Sequence, residues 1–259
     1  MRFRSLGSGS SGNAAVVEAT SGITTTRLLV DAGFSLRELE TRLGRAGLGV
    51  DDLDAIFVTH EHGDHVGCAT TLATRHGLPL WMSRGTWSAI GEAVAPPGLR
   101  FARDDESIAV GDLELLPFTV AHDAAEPLQL RCSDGCVHLV VLTDLGSITA
   151  HMIERVGGCD ALILECNHDA VMLAGSRYPP SLKARIGGRF GHLSNAVAEE
   201  ILARCMSSRL CHVVAAHLSR ENNRPDLARA ALAGTWGGAS GAEIVVADPN
   251  AGFDWLQIG

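Results

Sequence analysis

Short apolar runs recur along the chain, and most of them are bounded by Gly, Asp or Pro. Each run has the length of a β-strand rather than that of a helix. The predicted strands are Ala15–Val17, Arg27–Val30, Ile56–Val58, Leu113–Leu116, Val137–Leu142, Ala161–Leu164, Val213–Ala216 and Ile244–Val246.

Helical patterns lie among these strands. Ser35 forms a capping-box pattern with Glu38, and Leu36, Leu39 and Leu43 then fall on one face of a helix. Further helices are predicted over 148–156 with Ser147 as the cap, over 196–206, and from Pro225 onward. This order predicts an α/β fold in which two sheets pack together with helices outside, as a single domain over residues 1–259.

Composition narrows the class of protein. The 259 residues are 46% hydrophobic and 20% charged, as in ordinary globular proteins. No apolar stretch is long enough to span a membrane and the first residues lack an apolar signal core, so export is not expected. The seven scattered cysteines favour a reduced, cytoplasmic setting over a disulfide framework. Cys132 and Cys136 flank an Asp-Gly turn, and we interpret them as hairpin neighbours rather than metal ligands.

Charge is unevenly distributed. The net charge of −9 argues against bulk, non-specific nucleic-acid binding. From Ala170 to Pro225, however, eight cations and three anions give a local net charge of +5. Arginine dominates these cations, which indicates either a phosphate-binding face or simply the preference of the whole chain for Arg over Lys. The Gly7–Gly12 segment is predicted to be a tight hairpin loop, whose N–H groups could also hold an anion.

The most specific pattern is Thr59-His60-Glu61-His62-Gly63-Asp64-His65, directly after the apolar run 55–58. His60 and His62 are two residues apart, so in extended backbone their imidazoles project to the same side and can bind one cation. Asp64 and His65 come from the turn beyond and can reach a second cation. A His-rich surface loop is the alternative, but such a loop does not need a position at a strand end.

Three further candidates each follow a predicted strand. His122 follows 115–121, Asp144 follows 140–143, and His217 follows 213–216. In α/β folds, catalytic and binding residues often lie at the ends of strands. Together with the first cluster these side chains make a complete ligand set for two metal ions, whereas His76, His138, His151 and His212 lack companion ligands and are assigned to surface or core positions.

This set resembles the metallo-β-lactamase superfamily, whose pattern is H-x-H-x-D-H followed by a distant His, an Asp and a final His. The resemblance implies a four-layer αββα sandwich and a dinuclear centre. In that family the first metal would take His60, His62 and His122, the second would take Asp64, His65 and His217, and Asp144 would bridge them. Zinc is the expected metal, with manganese or iron as alternatives.

A narrower resemblance covers most of the chain, from Arg2 to about Asn223. Motifs similar to those of the YycJ-type (WalJ) exonuclease family are SLGSGSSGN at 5–13, TDLG at 143–146, LECNHD at 164–169, GHLSN at 191–195 and AHLSRENN at 216–223. The resemblance implies a 5′→3′ DNA exonuclease linked to DNA repair. Nucleic acid, DNA rather than RNA, is therefore the expected partner, without a membrane; a homodimer is compatible with the sequence.

The expected reaction is attack on a phosphodiester by a hydroxide that bridges two metal ions. Asp64 would orient this hydroxide. His192, oriented by Glu165, would donate a proton to the departing sugar oxygen, and His168 is a further catalytic candidate. The candidate substrate-binding residues are Arg185, Arg189, Arg220 and Asn222.

Three alternatives stay open at this point. A ribonuclease Z-like enzyme or a small-molecule phosphodiesterase would use the same scaffold, and the Glu165–His192 pair is also similar to elements of ribonuclease Z. A thioester or lactone hydrolase would use the same metals, although the arginine-rich window speaks against it. A non-catalytic metal-binding regulator is the third, although degenerate members of a fold usually lose ligands.

Overall fold

The computed structural model describes residues 1–236 and 244–259. The strands are β1 (Arg2–Gly7), β2 (Ala14–Ser21), β3 (Thr24–Val30), β4 (Ala55–Phe57), β5 (Leu80–Met82), β6 (Leu99–Phe101), β7 (Ile108–Val110), β8 (Leu113–Thr119), β9 (Leu128–Ser133), β10 (His138–Leu142), β11 (Ala161–Glu165), β12 (His212–Ala216), β13 (Val245–Val246) and β14 (Phe253–Gln257). The helices are α1 (Leu36–Arg45), α2 (Gly63–Val66), α3 (Ala69–His76), α4 (Arg84–Ile90), α5 (Ala150–Val156), α6 (Ala170–Gly175), α7 (Pro180–Ile186), α8 (Asn195–Cys205) and α9 (Pro225–Trp236).

Within these residues the strands form two sheets. The first has the order β14-β1-β2-β3-β4-β5-β6, and the second has the order β13-β12-β11-β10-β9-β8-β7. An apolar layer fills the space between them: Leu28 and Val30 face it from β3, and Ile163 faces it from β11. Leu29 and Leu162 point to the opposite faces of their sheets. Both faces are therefore apolar, which is why these strands appear in the sequence as unbroken apolar runs.

Helices cover both outer faces. Leu43 of α1 and Leu72 of α3 pack on the outer face of the first sheet. Met152 of α5, Ile201 of α8 and Leu232 of α9 pack on the outer face of the second. The order of layers is helix, sheet, sheet, helix, which confirms the predicted four-layer sandwich.

Two helix starts differ from the sequence prediction. Helix α5 begins at Ala150, and its cap is Thr149, whose hydroxyl accepts a hydrogen bond from the Met152 N–H at 3.1 Å. Ser147 instead forms a β-bridge with Ala121, which keeps the chain extended for two more residues. Helix α8 begins one residue early, at Asn195, with Ser194 as its cap.

The direction of the strands determines at which edge of the sheets functional side chains can come together. Strands β3 to β6 run parallel, as do β10 to β13, and β8 runs in the same direction as β10 because both are antiparallel to β9. The carboxyl ends of β3, β4, β8, β10, β11 and β12 each lead into a residue of the site described below.

The structure of the described residues also bears on the predictions about the cysteines and about membrane-spanning segments. All seven cysteines are unpaired. Cys132 is buried in β9 and Cys136 is exposed in the turn before β10, and these strands are antiparallel neighbours, which confirms the hairpin. Among the helices that the structure describes, none is long and apolar enough to cross a membrane.

Candidate metal centre

Three imidazole nitrogens converge on one point at the carboxyl ends of β4 and β8. His60 Nε2 lies 3.0 Å from His62 Nδ1, which lies 3.3 Å from His122 Nε2. Ligands about 2.0–2.1 Å from a tetrahedral zinc ion are separated by roughly 3.3 Å, so the observed spacings suit a shared cation. The predicted pair His60 and His62 does project to one side, and the distant His122 completes the set.

A second group lies beside the first and contains two carboxylates. His65 Nε2 is 2.9 Å from Asp144 Oδ2 and 3.8 Å from Asp64 Oδ2. His217 Nε2 is 3.7 Å from the same Asp64 oxygen. Asp144 also belongs to a group with His60 and His65, so its carboxylate lies between the two sets of predicted ligands. All seven predicted ligand residues are therefore brought together.

Most of these imidazoles have a hydrogen-bond partner on the nitrogen that faces away from the centre. His65 Nδ1 lies 2.8 Å from Asp31 Oδ2, and His60 Nδ1 lies 3.0 Å from the Thr59 hydroxyl. His122 Nδ1 donates to the Gly191 carbonyl at 3.1 Å. Such partners fix the ring orientation and the tautomer, which leaves the other nitrogen free as a ligand.

Two polar atoms in the centre have no hydrogen-bond partner among the described residues. These are Asp144 Oδ2, which His65 approaches without hydrogen-bond geometry, and His217 Nε2. Both side chains are 2% exposed, so water does not readily satisfy them. Because buried polar atoms are normally paired, these two are suited to cation binding. The donor set of imidazoles and carboxylates thus fits two divalent cations.

The electrostatics of the two groups differ in the metal-free protein. Burial and the nearby His65 lower the pKa of His60 well below its usual value, and burial lowers the pKa of His122. Burial also opposes a charge on His65, but Asp144 and Asp31 outweigh it and raise the pKa of His65 to about 10. The pKa of His217 is raised well above its usual value because Asp144 outweighs the effect of burial. His60 and His122 therefore offer neutral nitrogens, whereas His65 and His217 hold protons that a cation can replace.

Backbone strain is concentrated at this centre. Four non-glycine residues in the described part of the chain have left-handed φ angles, and three of them are Asp31 (61°), Asp144 (54°) and His217 (55°). Asp31 and His217 stand directly after β3 and β12, and Asp144 stands two residues after β10. Such conformations cost about 1 kcal/mol or more apiece and persist where the surroundings impose them, typically at functional sites.

Asp31 and Asn13 are functional candidates that the sequence analysis did not identify. Asp31 is 3% exposed, and it accepts hydrogen bonds from the backbone and hydroxyl of Thr59 as well as contacting His65. Asn13 Nδ2 lies 3.0 Å from His65 Nε2 and 3.2 Å from the Asp64 carbonyl. Asp31 follows the predicted strand 27–30, so the strand-end criterion applied to Asp144 would have found it.

His192 and Glu165, which the sequence analysis pairs for proton transfer, are in contact. His192 Nδ1 lies 2.7 Å from Glu165 Oε1, and the Glu165 carboxylate also lies 3.2 Å from His217 Nδ1. Burial opposes a charge on His192, but Glu165 outweighs it and raises the pKa of His192. His192 keeps 24% of its side chain exposed and lines a cavity of about 220 Å³. His168 is 4% exposed and is not among the residues that line this cavity.

The four predicted substrate-binding residues are placed differently. Arg185 lines the cavity and donates to Asp123 at 2.7 Å. Arg189 is exposed and stacks over Phe190, next to the cavity-lining Gly191. Arg220 lines a neighbouring cavity. Asn222 is fully buried, and its amide contacts Ser219 because the turn before α9 folds it inward, so it faces neither cavity.

The layers and the paired ligand groups define a class of protein, the metal-dependent hydrolases of the metallo-β-lactamase fold. Residues 26–213 match the model of the beta-lactamase superfamily domain. The chain is 36% identical over 232 residues to exodeoxyribonuclease YycJ of Bacillus anthracis, covering 88% of this chain and 86% of that protein. It is 34% identical over 232 residues to exodeoxyribonuclease WalJ of Streptococcus pneumoniae serotype 2, covering 88% and 85%.

A solved structure agrees with these matches. The metallo-beta-lactamase fold protein YhfI from Bacillus subtilis superposes with a TM-score of 0.73 at 19% identity, covering 98% of both chains. The chain therefore belongs to the beta-lactamase superfamily and, within it, to the family of the exodeoxyribonucleases YycJ and WalJ.

Proposed function

We propose that this protein is a two-metal exonuclease that removes nucleotides from DNA in the 5′→3′ direction. The observation that carries the proposal is the pair of facing ligand groups, with their outer hydrogen-bond partners in place, at the floor of a cavity lined by Arg185 and His192. The names of the two relatives support DNA as the substrate class. Their similarity extends over 88% of the chain.

The metal ligands follow from the geometry. His60, His62 and His122 would hold one cation; Asp64, His65 and His217 would hold the other; Asp144 lies between them. Bound cations of this kind supply a Lewis acid for a phosphate oxygen and an activated water near neutral pH. The Asp64 carboxylate keeps 25% of its side chain exposed to the cavity, so it can accept a hydrogen bond from the attacking water and orient it.

His192 would protonate the departing sugar oxygen. Its Nδ1 contacts the buried Glu165 carboxylate, which fixes the ring and keeps its pKa raised, so Nε2 can carry a proton near neutral pH. We expect His192→Ala to lower kcat by roughly 10²–10⁴ with the metal content unchanged. Loss of metal together with activity would instead make His192 a structural residue.

The cavity wall suits a phosphate backbone. Residues 170–198 contain four cations and no aspartate or glutamate, and they form α6, α7, the loop to α8 and the first turn of α8. Leu182, Arg185 and Ile186 of α7 line the cavity directly. This segment brings positive charge and no carboxylate of its own to a cavity that Asp123 also lines, and so favours a polyanion even though the protein as a whole is acidic.

The proposal also covers the identity of the metal, the compartment, the domain organisation and the oligomeric state. Zinc is the proposed metal because the first group consists of three imidazoles, although manganese or iron would fit similar ligands. Seven unpaired cysteines favour a reducing, cytoplasmic compartment. A single domain over residues 1–259 is proposed because the centre uses strand ends from both sheets, and a homodimer stays a prediction that analytical ultracentrifugation can test.

The test is metal analysis followed by cleavage of end-labelled duplex DNA. We expect Asp64→Ala and His122→Ala to lose both metal and nuclease activity, whereas His76→Ala, an exposed imidazole on α3, should keep both. Parallel reactions with structured RNA, a chromogenic phosphodiester, a thioester and a lactone separate the alternatives. Full DNA cleavage by metal-depleted variants, or greater activity on one of the other substrates, would refute the proposal.

A further inference from the structure

A second cavity of about 280 Å³ adjoins the one at the metal centre. It is lined by Gly9, Ser10, Ser11, Tyr178, Leu218, Ser219, Arg220 and Glu221. Ser10 lines both cavities, so the two spaces are neighbours on one surface. The predicted mechanism assigns no function to this second space.

The loop that forms one wall is rigidly built. Gly9 and Gly12 adopt φ angles of 136° and 143°, which side chains disfavour, and the Gly12 N–H donates to the Gly9 carbonyl at 2.9 Å. The Asn13 side chain accepts from the Gly9 N–H at 2.8 Å and donates back to its carbonyl. Ser10 and Ser11 at the exposed tip use neither backbone N–H in a hydrogen bond within the described chain. Consecutive free N–H groups in a turn form a concavity that suits an anion.

Arg220 forms the opposite wall and has its charge available. Its guanidinium donates to the Ser11 hydroxyl at 3.1 Å and lies 3.5 Å from Asn250 Oδ1. No carboxylate in the described ranges lies within ion-pair distance of it. Glu221 also borders the cavity, but it is exposed and does not pair with Arg220. Arg220 and the Ser10–Ser11 turn thus line one small space, and a guanidinium beside unpaired backbone N–H groups is a combination that matches a phosphate group.

This cavity is held at a fixed position relative to the metal centre. The Ser8 hydroxyl accepts a hydrogen bond from the His217 backbone N–H at 2.8 Å. Asn13, at the other end of the loop, contacts His65 and the Asp64 carbonyl. Arg220 follows His217 by only three residues. Both walls are therefore tied to predicted ligands of the second metal, and a group bound in this cavity would place the attached strand at a set distance from the reacting phosphodiester.

We propose that this cavity binds the terminal 5′-phosphate monoester of the DNA strand and so allows the enzyme to recognise an end. The inference rests on the proposed function. A phosphomonoester carries about −1.5 to −2 charges near neutral pH and three strong acceptor oxygens, whereas an internal phosphodiester carries one negative charge. Only a strand end offers the monoester, and the Ser10–Ser11 turn with Arg220 supplies the donors that distinguish it.

The test compares duplexes that differ only in the terminal group: 5′-phosphate, 5′-hydroxyl or 3′-phosphate. Binding of duplexes that carry an internal fluorescein label to metal-free protein is measured by anisotropy, and kcat/KM is measured with metal. We expect the wild type to prefer the 5′-phosphate duplex by roughly tenfold or more in both measurements, as loss of a charge-assisted hydrogen bond would predict. Arg220→Gln and Ser11→Ala should bring this ratio towards one.

Two further variants sharpen the result. Arg224→Gln removes an exposed arginine that pairs with Asp226 and lies outside this cavity, so it should keep the wild-type ratio. Glu221→Gln removes a negative charge from the rim and should increase the ratio. A wild-type ratio near one, an unchanged ratio in Arg220→Gln, or a preference for the 3′-phosphate would each overturn the assignment. Failure of the wild type to cleave any duplex would refute the proposed function, and the metal-free binding ratio would still test the cavity separately.

Discussion

Replacing Asp31 by asparagine tests whether the buried carboxylate behind His65 sets the metal affinity of the centre. Asp31 Oδ2 lies 2.8 Å from His65 Nδ1, while Oδ1 accepts the Thr59 N–H at 2.8 Å and its hydroxyl at 3.0 Å. Asparagine has the same shape but replaces one acceptor oxygen with a donor group. Either the His65 contact or the Thr59 contacts must then place two donors against each other.

The expected loss of metal affinity follows from the contact that is lost. If the new amide group faces His65, the imidazole must move its proton to Nε2, and the nitrogen that faces Asp144 and Asp64 is no longer a free ligand. Loss of such an outer partner typically weakens metal affinity by roughly 10- to 100-fold, or about 1.4–2.7 kcal/mol. We expect this loss at the cation held with His65. The other cation should change less, because His60 contacts Asp31 only through Thr59.

The assay is titration of metal-free protein with zinc in competition with a chelating indicator, which reports both dissociation constants. Asp160→Asn is a matched control: Asp160 is 6% exposed and accepts bonds from Arg209 and the His138 N–H, but it precedes β11, at the opposite end of the sheet from the centre. Both variants should be less stable to urea, and only Asp31→Asn should bind zinc more weakly. Wild-type affinity for both ions in Asp31→Asn, or equal loss in the control, would refute the reasoning.

Three shorter predictions concern the stability of the fold and the zinc content of the centre. Chelating the metal should lower the unfolding midpoint in calorimetry by several degrees, because the ligands join strand ends of both sheets; an unchanged midpoint would contradict this. Glu18 pairs with two arginines at 2.5 and 2.7 Å, which outweigh burial and lower its pKa from 4.5, so its stabilisation is present above pH 4.5 and lost as the pH falls through the folded value. Glu18→Gln should therefore cost about 1–2 kcal/mol in urea titrations at pH 7 and progressively less as the pH falls below 4.5, and a cost that does not change with pH would be inconsistent. Gly33→Ala would place a Cβ 1.7 Å from the Asp64 carbonyl oxygen and should reduce zinc content, whereas Gly44→Ala, with nothing within 4 Å, should leave zinc binding intact; equal zinc content in the two would count against the packing argument.

The layers of the fold and the ligand groups could be predicted from the sequence because both depend on periodic or local signals. The strands in the middle of each sheet are apolar on both faces, and His60 and His62 reveal a shared ligand face by spacing alone. The short strands β5, β6 and β7, which lie at or next to a sheet edge, lack such a signal, since three residues show no period. Their places in the sheets depend on packing that only the folded chain defines.

The residues around the ligands were harder to predict because their importance depends on burial. Asp31 stands after a strand much as Asp144 does, and only its burial against His65 in the folded chain distinguishes it from an ordinary strand-end aspartate. Asn222 shows the opposite problem, since a polar side chain near His217 looks available for substrate until the fold buries it completely. His168 was predicted beside Glu165, and it is close in sequence but does not reach the cavity.

The difference between a residue's place in the sequence and its surroundings in the fold also explains how an acidic protein can present a surface that binds phosphate. The sequence contains eight cations between Ala170 and Pro225, but Arg185, Arg204, Arg209 and Arg224 are each paired with a carboxylate. Arg209 pairs with Asp160 at the far end of the sheet, so it contributes little at the centre. Arg189 and Arg220 have no such partner among residues 1–236 and 244–259, and Arg220 lines the second cavity. Because exposed charges beyond about 10 Å are largely screened at physiological salt, a bound strand would respond to these unpaired arginines rather than to the net charge of −9.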